Sequence, residues 1–172
     1  SEEASYDDFF DAAFGQQGGD WALFGFDDCN LSQSINYVAW NATDLKTTAP
    51  DGTHAEVSNL IVTAAPVEAG AYYVENSERT LGLRVVSPDI AGIGNRVTVR
   101  GTLQTDPLTG ERSLVDASLL NPADDEQPEP LMMLCQSVGG EALGQIPAVP
   151  GAIGPHNTGL VIRVAGEVKS ID

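Results

Sequence analysis

Basic residues are scarce in this chain: two lysines and six arginines stand against 25 acidic side chains in 172 residues, a formal net charge of −17. So acidic a chain repels phosphate backbones and anionic lipid at long range, and its eight cations are scattered rather than gathered into a counter-patch. Nucleic acid is therefore excluded as a partner. Long apolar runs are lacking too. Nothing approaches the roughly 20 residues of a membrane span, so no membrane insertion is expected. The opening SEEASYDDFF shows no basic segment followed by an apolar stretch, and the chain reads as a mature, soluble product. The two histidines, His54 and His156, are far apart in sequence, no H-E-x-x-H or C-x-x-C is present, and G-x-S-x-G is missing. Gly92-Ile-Gly94-Asn-Arg-Val97 lacks the third glycine of a dinucleotide loop and reads as a turn. Catalysis has no motif behind it, and the chain is read as a non-enzyme that requires no cofactor.

Cysteine is limited to Cys29 and Cys135. A disulfide between them is expected in a secreted chain: it would close a loop of roughly 100 residues, worth about 4–5 kcal/mol in the chain-entropy model, the alternative being two separate thiols. Asn30-Leu-Ser32 and Asn41-Ala-Thr43 match the N-glycosylation acceptor pattern, making Asn30 and Asn41 the candidate glycan sites. Paired cysteines, acceptor triplets, few lysines and strong acidity together point to an extracellular or cell-surface location.

Phenylalanine is absent beyond residue 26. Seven of the eleven aromatics fall in the first 26 residues: Tyr6, Phe9, Phe10, Phe14, Trp21, Phe24 and Phe26. Residues 1–45 also hold nine acidic side chains and no lysine or arginine. Tyr6, Phe9, Phe10, Ala13 and Phe14 lie at helical spacing before Gly15, which predicts a short amphipathic helix. Trp21–Phe26 and Tyr37–Trp40 are apolar runs of strand length. Residues 1–50 are thus read as an aromatic, acidic N-terminal arm of short helix plus strand.

Residues 51–172 read as one β domain. Strands are predicted at Ala55–Thr63, Ala71–Glu75, Thr80–Val86, Arg96–Gln104 and Glu111–Leu119, with hairpin turns at Asn76–Arg79 and Thr105–Gly110. This is a meander of five strands. Gly101 inside the fourth marks a bend or a close backbone approach, so the strands are expected to form a small closed barrel rather than a sandwich. Residues 121–159, rich in Pro and Gly, make a long connection without period, and 160–171 form a C-terminal strand.

At these residues a resemblance appears. Tyr72 to Val85, Gly94 to Leu103 and Gly110 to Ala117 resemble OB-fold-like domains that occur, often in tandem, in secreted and cell-surface proteins of environmental bacteria. Asn157 to Val168 is similar to the junction of such tandem proteins, where a closing strand opens the next barrel. The fold class is accordingly mainly β, a small OB-like antiparallel barrel. The resemblance implies a fold and a surface location and carries no active site. The whole chain also resembles subunits of extracellular bacterial fibrils, some glycosylated, in which a terminal segment of one protomer fills a groove in the next.

The seven arm aromatics would be an exposed apolar patch on a monomer, so they must pack either on their own barrel or on a neighbouring copy. The latter makes a heterologous contact that propagates into a filament, with Tyr6, Phe9, Phe10, Phe14, Trp21, Phe24 and Phe26 as the inter-subunit contacts. The chain is thus expected to be a structural filament subunit whose partners are copies of itself. The alternative is a secreted carbohydrate- or cell-envelope-binding module using Trp21 and Trp40 as stacking platforms. Asp27, Asp28, Asp124 and Asp125 are the weak calcium candidates, since hard cations take carboxylates, although no EF-hand spacing is present. Arg84, Arg96, Arg100 and Arg112, on barrel strands, are expected to pair with surface acids.

Overall fold

From His54 onward, period-two patterning puts alternate side chains on opposite faces of the backbone, and long strands form. The computed structural model describes residues 35–68, 70–89 and 91–167. Its elements are β1 (Val38–Ala39), α1 (Ala42–Thr48), β2 (His54–Glu68), β3 (Ala71–Asn76), β4 (Gly82–Val86), β5 (Asn95–Thr105), β6 (Arg112–Asp124), β7 (Leu131–Leu134) and β8 (Ile162–Ala165). The protein is mainly β. Strands β2 to β6 close a five-stranded barrel in the order β2-β3-β4-β6-β5, with β5 pairing back to β2, compatible with an OB-like fold.

The connectivity departs from a simple meander. After β4 the chain does not pair β5 beside it; β6 lies there instead, parallel, with Arg84 opposite Ser113 and Val85 opposite Leu114. Closure falls to β2, whose length lets its first half pair with β5, from His54↔Thr102 to Ile61↔Arg96, and its second with β3, from Leu60↔Asn76 to Glu68↔Ala71. The register shifts between Val57 and Leu60, where Asn59 takes φ 60°, a left-handed conformation asparagine tolerates. Gly101 sits at a matching irregularity of β5. A Cβ there would stand 3.0 Å from the Ala117 Cβ and 3.1 Å from the Val115 carbonyl oxygen, so the close approach read from its position is present. The Thr105–Gly110 turn also forms as expected: Asp106 Oδ1 accepts from the Leu108 N–H at 2.8 Å and Gly110 takes φ 73°.

Tyr37–Trp40 yields only the two-residue β1, parallel to the start of β2. The chain then turns into α1, which the sequence reading placed in no helix. Asn41 caps it, its Oδ1 accepting from the Thr43 N–H at 2.8 Å, and Asp44 lies in the first turn, where a negative charge is favoured. Leu45 is fully buried in the barrel core with Ala42 and Ala49 beside it, a burial worth roughly 1.5–3 kcal/mol. Residues 35–50, grouped above with the arm, therefore include a helix that packs into the barrel.

Arg112, the first residue of β6, is buried beneath α1 rather than on the surface. It donates Nη1 to the Lys46 carbonyl oxygen at 2.8 Å and Nη2 to that of Ala49, and Nη2 also stands 3.6 Å from the carboxylate of the exposed Asp51, the pairing with a surface acid expected of it. Those carbonyls end a helix and have no partner within it, so a fork-shaped donor from the barrel satisfies what the helix cannot.

The C-terminal strand read over 160–171 is shorter where it is described, and residues 168–171 lie outside the described ones. Among the described residues it spans Ile162–Ala165 and pairs in parallel with β7 in a separate two-stranded ribbon. The physical reason is that β2 and β5 already close the barrel and leave no edge for it.

Candidate functional site

The connection read over 121–159 is not without strands, since it holds the end of β6, to Asp124, and β7; from 139 to 159 it forms none, as expected, and the chain follows a fixed path across β3 and β4. Asn157, 4% exposed, organises it: its Oδ1 accepts from the Gly139 N–H at 2.8 Å while Nδ2 donates to the carbonyl oxygens of Ser137 at 2.5 Å and Pro155 at 3.1 Å. The path is then pinned to the barrel. Thr63 donates to the Gly159 carbonyl oxygen at 3.0 Å, the Val161 N–H donates to Glu75 Oε2 at 3.1 Å, and Gly159 lies against Gly82 with no room for a side chain between them. The barrel face formed by β3 and β4 is covered by its own chain.

Beyond Val161 the chain pairs with β7, Leu131 opposite Ile162 and Met133 opposite Val164. Paired residues of a parallel ladder share a face, so the other face carries Met132 with Arg163 and Leu134 with Ala165. All four of these are exposed, Met132 at 66% and Leu134 at 58%. Among the described residues the ribbon has two strands only, so β7 and β8 each present an unpaired edge. Cys135 follows Leu134 at the end of this ribbon, with its Sγ over Gly166, and it is an exposed free thiol. The expected bridge to Cys29 is not supported, since no disulfide is present among the described residues. Cys29, Asn30, Asp27, Asp28 and the seven arm aromatics lie outside the described residues.

The remaining sequence candidates are dispersed. Trp40 and Asn41 do come together, lining a cleft of about 450 Å³ with Ser58, Asn59, Ser77 and Glu78. Trp40 Nε1 has no hydrogen-bond partner there, and Asn41 keeps its Nδ2 free of the helix cap. Asp124 accepts from Asn95 Nδ2 at 3.0 Å, and Asp125 meets Arg96 Nη2 at 2.5 Å, so each answers a group of its own barrel. Hydrogen bonds from the Glu126 N–H and from Arg96 hold the Asp125 carboxyl below its usual range. No group of three or more His, Cys, Asp or Glu gathers among the described residues. Arg100 pairs with Glu56 at 2.5 Å and Arg84 with Glu111 at 3.9 Å, as expected of strand arginines.

Sequence reading missed a second set of groups where α1, β3 and the crossing segment meet. Lys46 is 1% exposed and donates Nζ to the Gly82 carbonyl oxygen; burial pulls its pKa down to about 8 against the raising influence of Glu111. His156, 7% exposed, makes no hydrogen bond of normal geometry from either ring nitrogen; burial and then the Lys46 charge lower its pKa against the raising influence of the Glu141 backbone and of Glu111. Tyr73 donates to Glu111 Oε1 at 2.7 Å, which with burial raises its own pKa. Only the rarity of lysine and histidine in the chain marked these positions. Among the described residues no helix is long and apolar enough to cross a membrane. No protein-family model matches the chain, and no curated protein matches it.

Proposed function

We propose that the protein is a structural subunit of an extracellular bacterial filament, in which the aromatic N-terminal segment of one copy docks on the next, head to tail. The β7–β8 ribbon is the observation that carries this reading. A two-stranded sheet is marginal by itself, and an unpaired edge beside exposed Met132 and Leu134 is a template for a further strand. A closed barrel offers no such edge. Charge selects the occupant. Arg163 lies on the ribbon's exposed face, and residues 1–45 supply nine acids with no base. Phe24 and Phe26, two apart in the segment read as a strand and so on one face of it, would cover Met132 and Leu134 while Asp28 meets Arg163. Glycans at Asn30 and Asn41 belong to the same extracellular reading.

Electron microscopy of the full chain, of a chain lacking residues 1–34, and of Met132→Glu/Leu134→Glu tests it. Filaments from the full chain alone support the reading, and discrete particles from all three overturn it. Imaging with and without a calcium chelator tests Asp27, Asp28, Asp124 and Asp125 as cation ligands. A second reading, a carbohydrate- or cell-envelope-binding module, draws on the Trp40 cleft. It requires neutral oligosaccharides to quench tryptophan fluorescence in the native chain, with loss of that response in Trp40→Ala.

A further inference from the structure

A cavity of about 350 Å³ opens between β3, the β5–β6 hairpin and the crossing segment. Its polar lining is Lys46, His156, Tyr73, Glu111, Thr109 and Thr158; Ile146 and Pro147 are among its apolar walls. That volume lies at the lower end of small-molecule sites. Two of its lining groups are buried and hold hydrogen-bonding capacity that the protein leaves unused. Neither ring nitrogen of His156 makes a hydrogen bond of normal geometry, although the Glu141 backbone lies close enough to favour its protonated form. The Lys46 ammonium has three protons and one recorded acceptor, the Gly82 carbonyl oxygen, and no carboxylate among the described residues lies within 4.0 Å of it. Buried polar groups in native proteins are ordinarily satisfied, and each exception asks for an explanation.

We propose that this cavity binds a small organic monocarboxylate, its oxygens accepting from Lys46 Nζ and from the imidazole N–H of His156. The charge balance within the cavity selects that class. Glu111, the one acid in the lining, already accepts from Tyr73 at 2.7 Å and faces Arg84 at 3.9 Å. Lys46 is thus the cation of the lining left without a contacting counter-ion; the neighbouring Arg112 donates to the Lys46 and Ala49 carbonyl oxygens and meets Asp51 at 3.6 Å. A single negative charge matches it. A dianion would bring a second charge into a low-dielectric site with nothing further to meet it, and a neutral polyol would leave the ammonium uncompensated. The apolar wall of Ile146 and Pro147 accommodates a short carbon skeleton behind the carboxylate. This site does not depend on the ribbon or on filament formation.

The test is proton–carbon NMR of the full chain, following the His156 ring resonances during titration with acetate and D-glucuronate, with D-glucose and inorganic phosphate as comparisons. Saturable shifts with the two carboxylates, at least tenfold weaker with glucose and phosphate, are expected. Raising the pH past 8 weakens carboxylate binding, because Lys46, which Glu111, Arg112 and His156 face, loses its proton there. Lys46→Met abolishes binding, and His156→Phe weakens it fivefold or more with an unchanged circular dichroism spectrum. The Phe variant is read by isothermal titration calorimetry and decides the matter if the Met variant does not fold. No saturation with either carboxylate, equal binding of glucose or phosphate, or full affinity in His156→Phe overturns the proposal.

Discussion

Gly82 and Gly159 meet backbone to backbone: a Cβ built on Gly82 would stand 2.5 Å from the Gly159 Cα. This contact lets the crossing segment lie flat on β4 and brings the Gly82 carbonyl oxygen within reach of Lys46. Gly82→Ala forces main chain against main chain, with no flexible side chain to yield. Overpacking of this kind costs about 1–3 kcal/mol, so thermal unfolding of the variant falls by several degrees relative to the native chain. An unchanged midpoint would show that the segment is not held where the structure has it.

The barrel was legible because its signals are local and repeated. Alternation marked each strand, Asp106 and Gly110 marked a turn, and Gly101 marked the tight crossing at Ala117. The strand order was not, since β4 beside β6 is a long-range pairing that period-two patterning does not encode. Helix α1 escaped for a different reason. Seven residues are too few for a 3.6-residue period to declare itself, and Asn41 was read as a glycan acceptor although Asn41 with Asp44 three positions on is also a helix start. The Lys46, Glu75 and Arg112 side chains were hidden because charge predicts exposure. Each is buried here on partners distant in sequence: Lys46 on Gly82, Glu75 on Val161, Arg112 on Lys46 and Ala49.

Arg112 supplies the sharpest test of how α1 is attached. Replacing it with methionine keeps the buried volume apolar but strands the Lys46 and Ala49 carbonyl oxygens, at about 1–3 kcal/mol for each unsatisfied group. Arg112→Lys carries the charge but cannot reach both acceptors with one ammonium in fork geometry. Both variants are expected to lose 2 kcal/mol or more in urea unfolding, with Arg112→Lys rescuing little. Full rescue by lysine would mean that charge, and not the paired geometry, holds the helix end.

Lys46 makes stability depend on alkaline pH. Folding lowers its pKa from the ordinary 10.5 to about 8, since burial disfavours the ammonium more than Glu111 favours it, and Arg112 adds to the lowering. Between pH 8 and 10.5 the unfolded chain therefore holds a proton that the native chain has released. Stability consequently rises with pH across that window, by on the order of 3 kcal/mol. Tyr73 acts in the opposite sense above pH 10, because its native hydroxyl retains a proton that the unfolded chain loses. Urea midpoints measured from pH 8 to 10 should climb in the native chain and stay flat in Lys46→Met. A flat midpoint in the native chain over that range would place the ammonium in water, where folding leaves its pKa unchanged.

Cys135 reports on the proposed joint. It is exposed, it is unbridged, and it directly follows Leu134 on the ribbon where an incoming arm would pair. Cys29 belongs to the N-terminal segment, so head-to-tail docking brings Cys29 of one copy toward Cys135 of the next. With dissolved oxygen as the oxidant and copper–phenanthroline as the catalyst, each disulfide formed between them releases two electrons and two protons. The full chain should then give a ladder on a non-reducing gel. A Cys29→Ser chain mixed with a Cys135→Ser chain isolates the contact, because each partner holds one thiol and only a Cys29–Cys135 encounter yields the mixed dimer. Tagging one variant to change its size distinguishes that product from either homodimer. A fast-migrating oxidised monomer in place of the ladder would mean that the arm folds back on its own barrel, and homodimers alone would mean that copies meet symmetrically; either outcome removes the head-to-tail joint.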